Sequence, residues 1–244
     1  MLFFSKSKPY LKDLISSGTV DIHSHLLPGI DDGAKNIDET IFLISKMKEI
    51  GFTKIITTPH IITNIWDNNE NSIIDKHIDT SVLIKDTIEK SNFNVAAEYM
   101  LDSYFFKRLN TEKLLTLKEN YILIEMSYLS PPIQLFDIIF EIQLCGYKPI
   151  LAHPERYTFY INNYKEFEKL KNSGCLFQLN LLSSVNYYGE IVGKQAEKLL
   201  KNNMYDFVGS DIHHENHIKA FERKIETKSI KELEKVILKN SIFS

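Results

Sequence analysis

The stretch Thr19-Val-Asp-Ile-His-Ser-His25 joins a short β-branched run to two histidines. Alternating apolar residues of this kind are typical of a strand, so we predict that a strand ends at these histidines. His23 and His25 stand two positions apart, and residues with that spacing on a strand project to the same face. The two side chains can therefore bind one cation together.

Six similar runs follow along the chain, separated by segments with the longer period of a helix. The predicted strands span residues 19–23, 54–58, 94–98, 121–125, 149–153, 175–180 and 206–210. The predicted helices span residues 36–50, 71–90, 133–145, 164–172, 187–202 and 229–238. Gly51, Gly146 and Gly174 directly follow three of these helices, where a left-handed C-cap is expected. Strands and helices in this alternation predict an α/β fold with a mostly parallel sheet.

Strands as apolar as these are covered on both faces, which favours a barrel or a doubly wound sheet. The length of 244 residues fits a single α/β barrel of roughly 250 residues. No internal repeat, low-complexity tract or Pro/Gly/Ser-rich linker divides the chain. We therefore predict one domain over residues 19–244, preceded by an extension over residues 1–18.

The residues that end the strands predict a site, because six of the seven strands run into His, Glu or Asp. In parallel barrels the active site collects at the C-terminal ends of the strands. With Asp32 from the turn after the first strand, the candidates are His23, His25, Asp32, His60, Glu98, Glu125, His153, Asp211 and His213. Imidazole and carboxylate together suit Mn, Zn or Fe(II) better than Ca or Mg alone. A tetrahedral ion needs only four ligands, so this set predicts two or three ions.

Arg156, three residues after His153, offers a planar fork of donors that suits a phosphoryl group. A cysteine phosphatase is excluded, because it needs an arginine six positions after its cysteine, where this chain has Leu151 and Leu181. The chain also lacks a G-x-S-x-G elbow and a G-x-x-x-x-G-K-[ST] loop. Phosphate binding is therefore assigned to the metal ions and Arg156.

Several other conspicuous side chains are predicted to be structural. His77 and His217 are expected at the surface, and His214 is expected to point away from the ligands because it directly follows His213. Aromatic residues near the motifs are expected to pack in the interior: Tyr157, Phe159, Tyr160, Tyr187 and Tyr188.

Composition restricts the partners and the compartment. The chain has 29 Lys and Arg against 32 Asp and Glu, a net charge of −3, which argues against nucleic acid as a partner. Cys145 and Cys175 cannot form a disulfide framework and suit a reducing compartment. The N-terminus lacks the pattern of a secretory signal, and no run approaches the roughly 18 apolar residues of a membrane span. We expect a soluble, cytoplasmic protein, of an oligomeric state that the sequence does not indicate.

The strand-end motifs resemble those of the PHP (polymerase and histidinol phosphatase) metallophosphoesterases. Within that family they are similar to the manganese-dependent tyrosine phosphatases of bacterial capsule and exopolysaccharide loci. The resemblance rests on Val20-Asp-Ile-His-Ser-His-Leu-Leu-Pro-Gly-Ile-Asp-Asp-Gly33, Thr57-Thr-Pro-His60, Ala152-His-Pro-Glu-Arg-Tyr157 and Gly209-Ser-Asp-Ile-His213. Two features depart from the family pattern: the extension ahead of the first strand and the lack of a second arginine soon after His213.

The resemblance implies a distorted seven-stranded (β/α) TIM-like barrel, the PHP fold. It also implies up to three manganese ions, with iron, zinc or magnesium as alternatives. The implied ligand sets are His23, His25, Glu98 and Asp211 for one ion, Glu98, Glu125 and His153 for a second, and Asp32, His60 and His213 for a third. The position before the glycine favours Asp32 over Asp31. In the implied catalytic roles, Arg156 orients the phosphoryl group and Asp211 or His213 protonates the leaving phenolate.

The implied reaction is hydrolysis of phosphotyrosine on the tail of a bacterial tyrosine autokinase that controls polysaccharide export, without a covalent phosphoenzyme. This chain is expected to be soluble even where the kinase is bound to a membrane. The first alternative is a PHP phosphatase of a small ester such as histidinol phosphate, which a narrow, lidded pocket would favour over an open rim. Further alternatives are a metal-dependent deoxyribonuclease or amidohydrolase barrel and a non-catalytic, metal-stabilised interaction module.

Overall fold

Two sheets of parallel strands form the centre of the computed structural model, which describes residues 8–161 and 163–244. The strands are β1 (Thr19–Asp21), β2 (Phe52–Thr57), β3 (His60–Ile61), β4 (Phe93–Val95), β5 (Glu98–Met100), β6 (Tyr121–Glu125), β7 (Lys148–Ala152), β8 (Leu176–Asn180) and β9 (Phe207–Gly209). The first sheet has the order β1-β2-β4, the second has the order β3-β5-β6-β7-β8-β9, and all pairings are parallel. An isolated parallel bridge between Ser24 and Ile212 joins the chain just after β1 to the chain just after β9.

Every predicted strand overlaps an observed one. The predicted strand 94–98 is broken into β4 and β5, and the predicted strand 54–58 is followed, after a second break, by the short strand β3. The break between β2 and β3 falls at Thr58-Pro59, where proline has no N–H to donate. Pairing continues across both breaks, because the backbone N–H of Ala96 donates to the carbonyl of Thr57 and that of Glu98 donates to the carbonyl of Pro59. The α/β class with parallel sheets is therefore confirmed. The described residues contain nine strands rather than the predicted seven.

Helices connect the strands, and their ends follow the capping residues of the sequence. The α-helices are α1 (Ile37–Ile50), α2 (Glu70–Leu83), α3 (Phe105–Thr111), α4 (Leu135–Leu144), α5 (Tyr164–Asn172), α6 (Glu190–Lys201), α7 (Glu215–Ala220) and α8 (Ile230–Lys239). In α1 the side chain of Asn36 accepts a hydrogen bond from the backbone N–H of Glu39 at 3.0 Å, which caps the first turn. Gly51 ends α1 with φ of +129°, a conformation that favours glycine.

The sequence does not predict α3 and α7, since helices of seven and six residues are too short to show a helical period. None of the helices in the described ranges has the length and apolar character that crossing a bilayer requires.

The segment before β1 is attached to the domain rather than separate from it, although residues 1–7 of the predicted extension lie outside the described residues. The backbone N–H of Leu11 donates to the carbonyl of Arg223 at 2.9 Å, and that of Lys12 donates to the carbonyl of Phe221 at 3.0 Å. The Leu11 side chain is completely buried in the main hydrophobic core. Residues 10–15 therefore belong to the folded unit.

Replacing Leu11 by alanine is expected to lower the free energy of unfolding by roughly 2–5 kcal/mol, because the substitution leaves a cavity in the core. Urea denaturation measures the change. Leu144→Ala is the matched control, since the Leu144 side chain is 64% exposed. Equal effects of the two substitutions would contradict the packing of this segment.

Asn240, just after α8, joins the middle of β1 to the middle of β9. Its side-chain Nδ2 donates to the carbonyls of Val20 at 2.9 Å and Val208 at 2.8 Å. Its Oδ1 accepts a hydrogen bond from the backbone N–H of Val208 at 3.1 Å. One buried amide therefore bridges the edges of the two sheets.

Candidate metal centre

The fold brings all nine predicted metal ligands into one cluster at the C-terminal ends of the strands. His60 and Glu98 begin β3 and β5, the short strands just beyond the ends of β2 and β4. Glu125 ends β6, and the other ligands lie in the turns that follow β1, β7 and β9. Six of the nine are buried: His23, His25, Glu98, Glu125, His153 and Asp211. The sequence pattern alone therefore locates the cluster.

Glu98 lies at the centre of this cluster, in contact with four histidines. Its Oε2 lies 3.1 Å from His23 Nε2, 3.4 Å from His25 Nε2 and 3.2 Å from His60 Nδ1. Its Oε1 lies 3.2 Å from His153 Nε2. A carboxylate in this position can bridge two cations.

Asp31 and Asp32 have different surroundings. Asp32 Oδ1 lies 3.5 Å from His60 Nε2 and 3.4 Å from His213 Nε2, so Asp32 joins the group that was predicted for the third ion. The buried carboxylate of Asp31 lies 2.8 Å from His25 Nδ1 and orients that ring. A Cβ on Gly33 would lie 2.1 Å from the carbonyl oxygen of His25, so glycine is needed where the turn approaches the site.

The two oxygens of Asp211 have separate contacts. Oδ1 lies 3.2 Å from His23 Nε2 and 3.4 Å from His25 Nε2, on the side of the candidate ligands. Oδ2 accepts hydrogen bonds from Arg156 Nη1 at 2.9 Å and Asn180 Nδ2 at 2.8 Å. Asp211 thus links the histidine cluster to the predicted phosphate-binding arginine.

Two residues of the site, His153 and Asp211, have left-handed backbone conformations, with φ of +36° and +51°. Such conformations strain residues other than glycine and are concentrated at functional sites. The strain directs the His153 and Asp211 side chains toward the cluster immediately after β7 and β9.

Burial and opposite charge shift the pKa values of the site, and the balance between the two differs from residue to residue. Burial alone would raise the pKa of Glu98, but the charges of His23 and His60 hold it well below its usual range. Burial lowers the pKa of His60, but Glu125 and Glu98 outweigh that effect and raise it to about 9. Burial lowers the pKa of His153 to about 4, which leaves a neutral imidazole as a ligand.

The residues present fit metal ions. Four polar atoms of the cluster are buried and make no hydrogen bond of normal geometry among the described residues, although three of them lie close to another candidate ligand: His60 Nδ1, Glu98 Oε1, Glu125 Oε1 and His153 Nδ1. Buried polar atoms normally make hydrogen bonds, so ligand atoms that face one another without them indicate a missing partner between them. Nitrogen and oxygen donors in this mixture suit divalent transition metals.

The donor atoms form four overlapping groups, each within 4.8 Å. The groups are His25, Asp32, His60 and His213; His23, Glu98 and His153; His23, His25 and Asp211; and His60, Glu98 and Glu125. Compared with the ligand sets implied by the resemblance, Glu125 groups with His60 instead of His153, and His25 also joins the Asp32 group.

Two amides that orient the site escape the sequence analysis. Gln178 Oε1 lies 2.8 Å from His23 Nδ1, which makes this nitrogen the protonated one and leaves Nε2 for a cation. Asn180 contacts Asp211, as described above. The available signal is that both polar residues interrupt the apolar strand β8, two positions apart.

The prediction that His217 lies at the surface is wrong. The His217 side chain is buried beside the cluster, and its Nδ1 lies 3.0 Å from the carbonyl oxygen of Asp211. Burial lowers its pKa to about 3, so the ring is neutral. Helix α7 is short and turns the chain back over the site, which the sequence pattern does not reveal.

Glu155 fixes the loop that carries Arg156. Its buried carboxylate accepts hydrogen bonds from the backbone N–H of Asn180 at 2.9 Å, Ser183 Oγ at 2.7 Å and Tyr205 Oη at 3.0 Å. Burial raises the pKa of Glu155 to about 7.

The cluster opens into a cavity of about 220 Å³. The lining residues are Asp32, His60, Glu125, Tyr128, His153, Arg156, Tyr188, Asp211, His213, His214 and His217. This volume is below the roughly 300 Å³ at which pockets for drug-sized ligands begin. The cavity therefore has room for a phosphoryl group and little more.

The sequence of the chain is similar to those of a known protein family. The sequence model of the family described as "Capsular polysaccharide synthesis, CpsB/CapC" matches residues 19–241. The chain is 29% identical over 197 residues to the putative tyrosine-protein phosphatase CapC of Staphylococcus aureus, covering 80% of this chain and 76% of the relative. It is also 29% identical over 202 residues to the tyrosine-protein phosphatase CpsB of Streptococcus pneumoniae, covering 80% and 82%.

Solved structures agree with this comparison. A structure from work on YwqE of Bacillus subtilis and CpsB of Streptococcus pneumoniae, described as metal-dependent tyrosine phosphatases, matches with a TM-score of 0.75 and 27% identity over 88% of this chain and 86% of the other. The histidinol phosphate phosphatase of Lactococcus lactis matches with a TM-score of 0.55 and 13% identity over 92% and 94%, which shows a common fold alone.

Proposed function

The chain belongs to the CpsB/CapC family of capsular polysaccharide synthesis proteins, and from that premise we propose that it is a metal-dependent protein-tyrosine phosphatase. The observation that carries this proposal is the cluster of nine histidine and carboxylate ligands beside Arg156 in one small cavity. The charge of an incoming phosphoryl group would be matched by Arg156 and by cations bound to the cluster.

We assign two or three manganese ions to the centre, with iron, zinc or magnesium as alternatives. The groups of donor atoms around Glu98, Asp211 and Asp32 would hold them. Bound cations would supply an activated water at neutral pH and positive charge against the phosphoryl oxygens.

The protein's own groups prepare the substrate for in-line displacement. Arg156 has N–H groups besides the one that donates to Asp211, and these can bind the equatorial phosphoryl oxygens. The pKa of Asp211 is held well below its usual range, because the charges of His23 and His213 outweigh its burial. Ionised Asp211 is therefore a poor proton donor to the departing phenolate. Phenolate leaves readily, since the pKa of free tyrosine is about 10.

The surroundings of the cavity favour a protein substrate over a small ester. Asp32 and His214 at its mouth are exposed, and the Tyr128 side chain is 44% exposed. A phosphotyrosine on a flexible chain can reach such a site while the rest of the chain stays outside. We propose that the substrate is the tyrosine-rich tail of a bacterial tyrosine autokinase in polysaccharide synthesis, and that the two proteins meet in the cytoplasm, where ATP is available to the kinase.

We also infer that the two sheets form one distorted barrel of seven strands, with β2/β3 and β4/β5 each counted once, in a single domain over residues 19–244, against which residues 10–15 also pack. The bridge between Ser24 and Ile212 supports this inference. So do two backbone hydrogen bonds, from the N–H of His25 to the carbonyl of Ile212 and from the N–H of Asp211 to the carbonyl of His23.

The proposed activity predicts that the metal-stripped protein is inactive on a phosphotyrosine peptide and that manganese restores phosphate release. Magnesium, iron and zinc are added to parallel samples, and histidinol phosphate is offered as the competing substrate. His153→Ala should abolish the manganese-dependent activity, because it removes one ligand of the Glu98 group. Hydrolysis of histidinol phosphate but not of the peptide would replace the proposed substrate. Inactivity on both esters with every metal would refute the phosphatase.

A further inference from the structure

The guanidinium of Arg156 contacts two aromatic rings at the edge of the cavity. Its Cζ is 4.8 Å from the centroid of the Tyr128 ring and 4.0 Å from that of the Tyr188 ring. Both distances are within the range of a cation–π interaction. Tyr128 comes from the loop after β6 and Tyr188 from the loop before α6, so two separate parts of the chain contact the same cation.

A carboxylate and an amide complete the surroundings of Arg156. Arg156 Nη1 donates to Asp211 Oδ2 at 2.9 Å, and Asn180 Nδ2 donates to the same oxygen at 2.8 Å. Asn180 Nδ2 also donates to Tyr188 Oη at 3.1 Å. Arg156, Asp211, Asn180 and Tyr188 therefore form a closed ring of contacts, and Tyr128 adds a second aromatic contact to the guanidinium.

We propose that Tyr128 and Tyr188 are positioning residues that fix the plane of the Arg156 guanidinium for the phosphoryl group. This inference rests on the phosphatase function proposed above. An arginine side chain has many rotamers, and restricting it to one of them costs conformational entropy. If the guanidinium is already fixed before the substrate binds, this cost does not reduce the rate of the reaction. The rings act through Arg156 and need no contact with the substrate.

The surroundings of the two rings distinguish this role from the packing role that the sequence predicts for Tyr188. Both tyrosines line the cavity beside Arg156, and neither is fully buried. The Tyr128 ring also stacks on the ring of His153, with centroids 5.9 Å apart and planes at 24°. Tyr157, by contrast, is completely buried and does pack in the core.

A double-mutant cycle on the manganese-loaded enzyme tests the proposal. Tyr188→Leu and Arg156→Ala are made singly and together, and kcat, KM and the affinity for inorganic phosphate are measured, the last by calorimetry. Tyr188→Leu should lower kcat and phosphate affinity by about tenfold each, the loss expected for one partly buried cation–π contact. In the Arg156→Ala background the same substitution should change either quantity less than about twofold, because residues that act through each other are not additive.

Tyr188→Phe separates the ring from its hydroxyl. The phenyl face still covers the guanidinium, so we expect phenylalanine to recover most of the loss, to within about threefold of the wild type. Tyr164→Leu is the matched control, since the Tyr164 ring lies 4.6 Å from Lys198 Nζ, away from the cavity. Metal content and Tm are measured for every variant.

Equal losses from Tyr188→Leu in the wild-type and Arg156→Ala backgrounds would overturn the proposal, because the ring would then act independently of Arg156. A loss in Tyr188→Phe as large as in Tyr188→Leu would also overturn it. The phosphate measurement separates the positioning role from the proposed function. If the wild type does not hydrolyse the peptide, the proposed function fails. The double-mutant cycle on phosphate affinity then still tests whether Tyr188 acts through Arg156.

Discussion

Glu98→Gln is expected to lower kcat/KM on a phosphotyrosine peptide by more than about 100-fold. Even the loss of a residue that only hydrogen-bonds to a metal ligand lowers metal affinity or activity about 10–100-fold, and Glu98 is itself a candidate ligand. The glutamine has nearly the same shape but only one oxygen and no charge. In the wild type, both oxygens of Glu98 are in use, with Oε2 3.1 Å from His23 Nε2 and Oε1 3.2 Å from His153 Nε2. The amide N–H₂ would face one of these imidazoles, where a cation is expected.

Activity and metal content are measured together for this variant. Elemental analysis of Glu98→Gln should show fewer bound ions per chain than in the wild type, with an unchanged far-UV circular dichroism spectrum. Glu112→Gln is the matched control, because Glu112 is exposed and pairs only with Arg108 among the described residues. Wild-type activity with a full complement of metal in Glu98→Gln would rule out a central role for this carboxylate.

Arg156→Lys is expected to lower kcat by about 10²–10³-fold, which is the usual cost of removing one preorganised donor to a developing anion. Lysine keeps the charge but has no planar fork, so it cannot bind Asp211 and a phosphoryl oxygen in the same plane. KM should rise less than kcat falls, since the donors act mainly on charge that develops in the transition state.

Arg223→Lys is the matched control for this arginine, because Arg223 Cζ lies 5.2 Å from the Tyr187 ring, in a similar contact outside the cavity. Steady-state kinetics of both variants at saturating manganese give the comparison. A fall in kcat of less than about threefold for Arg156→Lys would mean that a positive charge at this position is sufficient for catalysis and that the planar guanidinium is not required.

The sequence predicts the location of the site well, because each strand–helix unit is a local pattern and parallel strands end on the same side of a sheet. The sequence alone therefore assigns several ligands to one cluster, without any knowledge of their contacts: His23, His60, Glu98 and His153. The class of fold follows from the same local pattern. The interruption of the strand at Pro59 changes the count of strands and not their order.

The sequence does not predict which ligands group together, because that depends on the curvature of the sheets. Glu125 Oε1 lies 2.8 Å from His60 Nδ1, a contact across strands far apart in sequence. Gln178 and Asn180 are uncharged amides, and nothing in their local pattern separates an orienting role from an ordinary buried one. His217 is buried only because α7 turns back over Asp211, which is a tertiary effect.

The bridge made by Asn240 has a consequence for biosynthesis. This residue holds the backbones of Val20 and Val208 together, so this contact between β1 and β9 needs a side chain that is synthesised 220 residues after Val20. Earlier strands can pair as they leave the ribosome, but β1 has to wait for residue 240 before this contact forms. Until then the contact between β1 and β9 lacks this bridge, and the edge of β1 is less protected from pairing with other nascent chains.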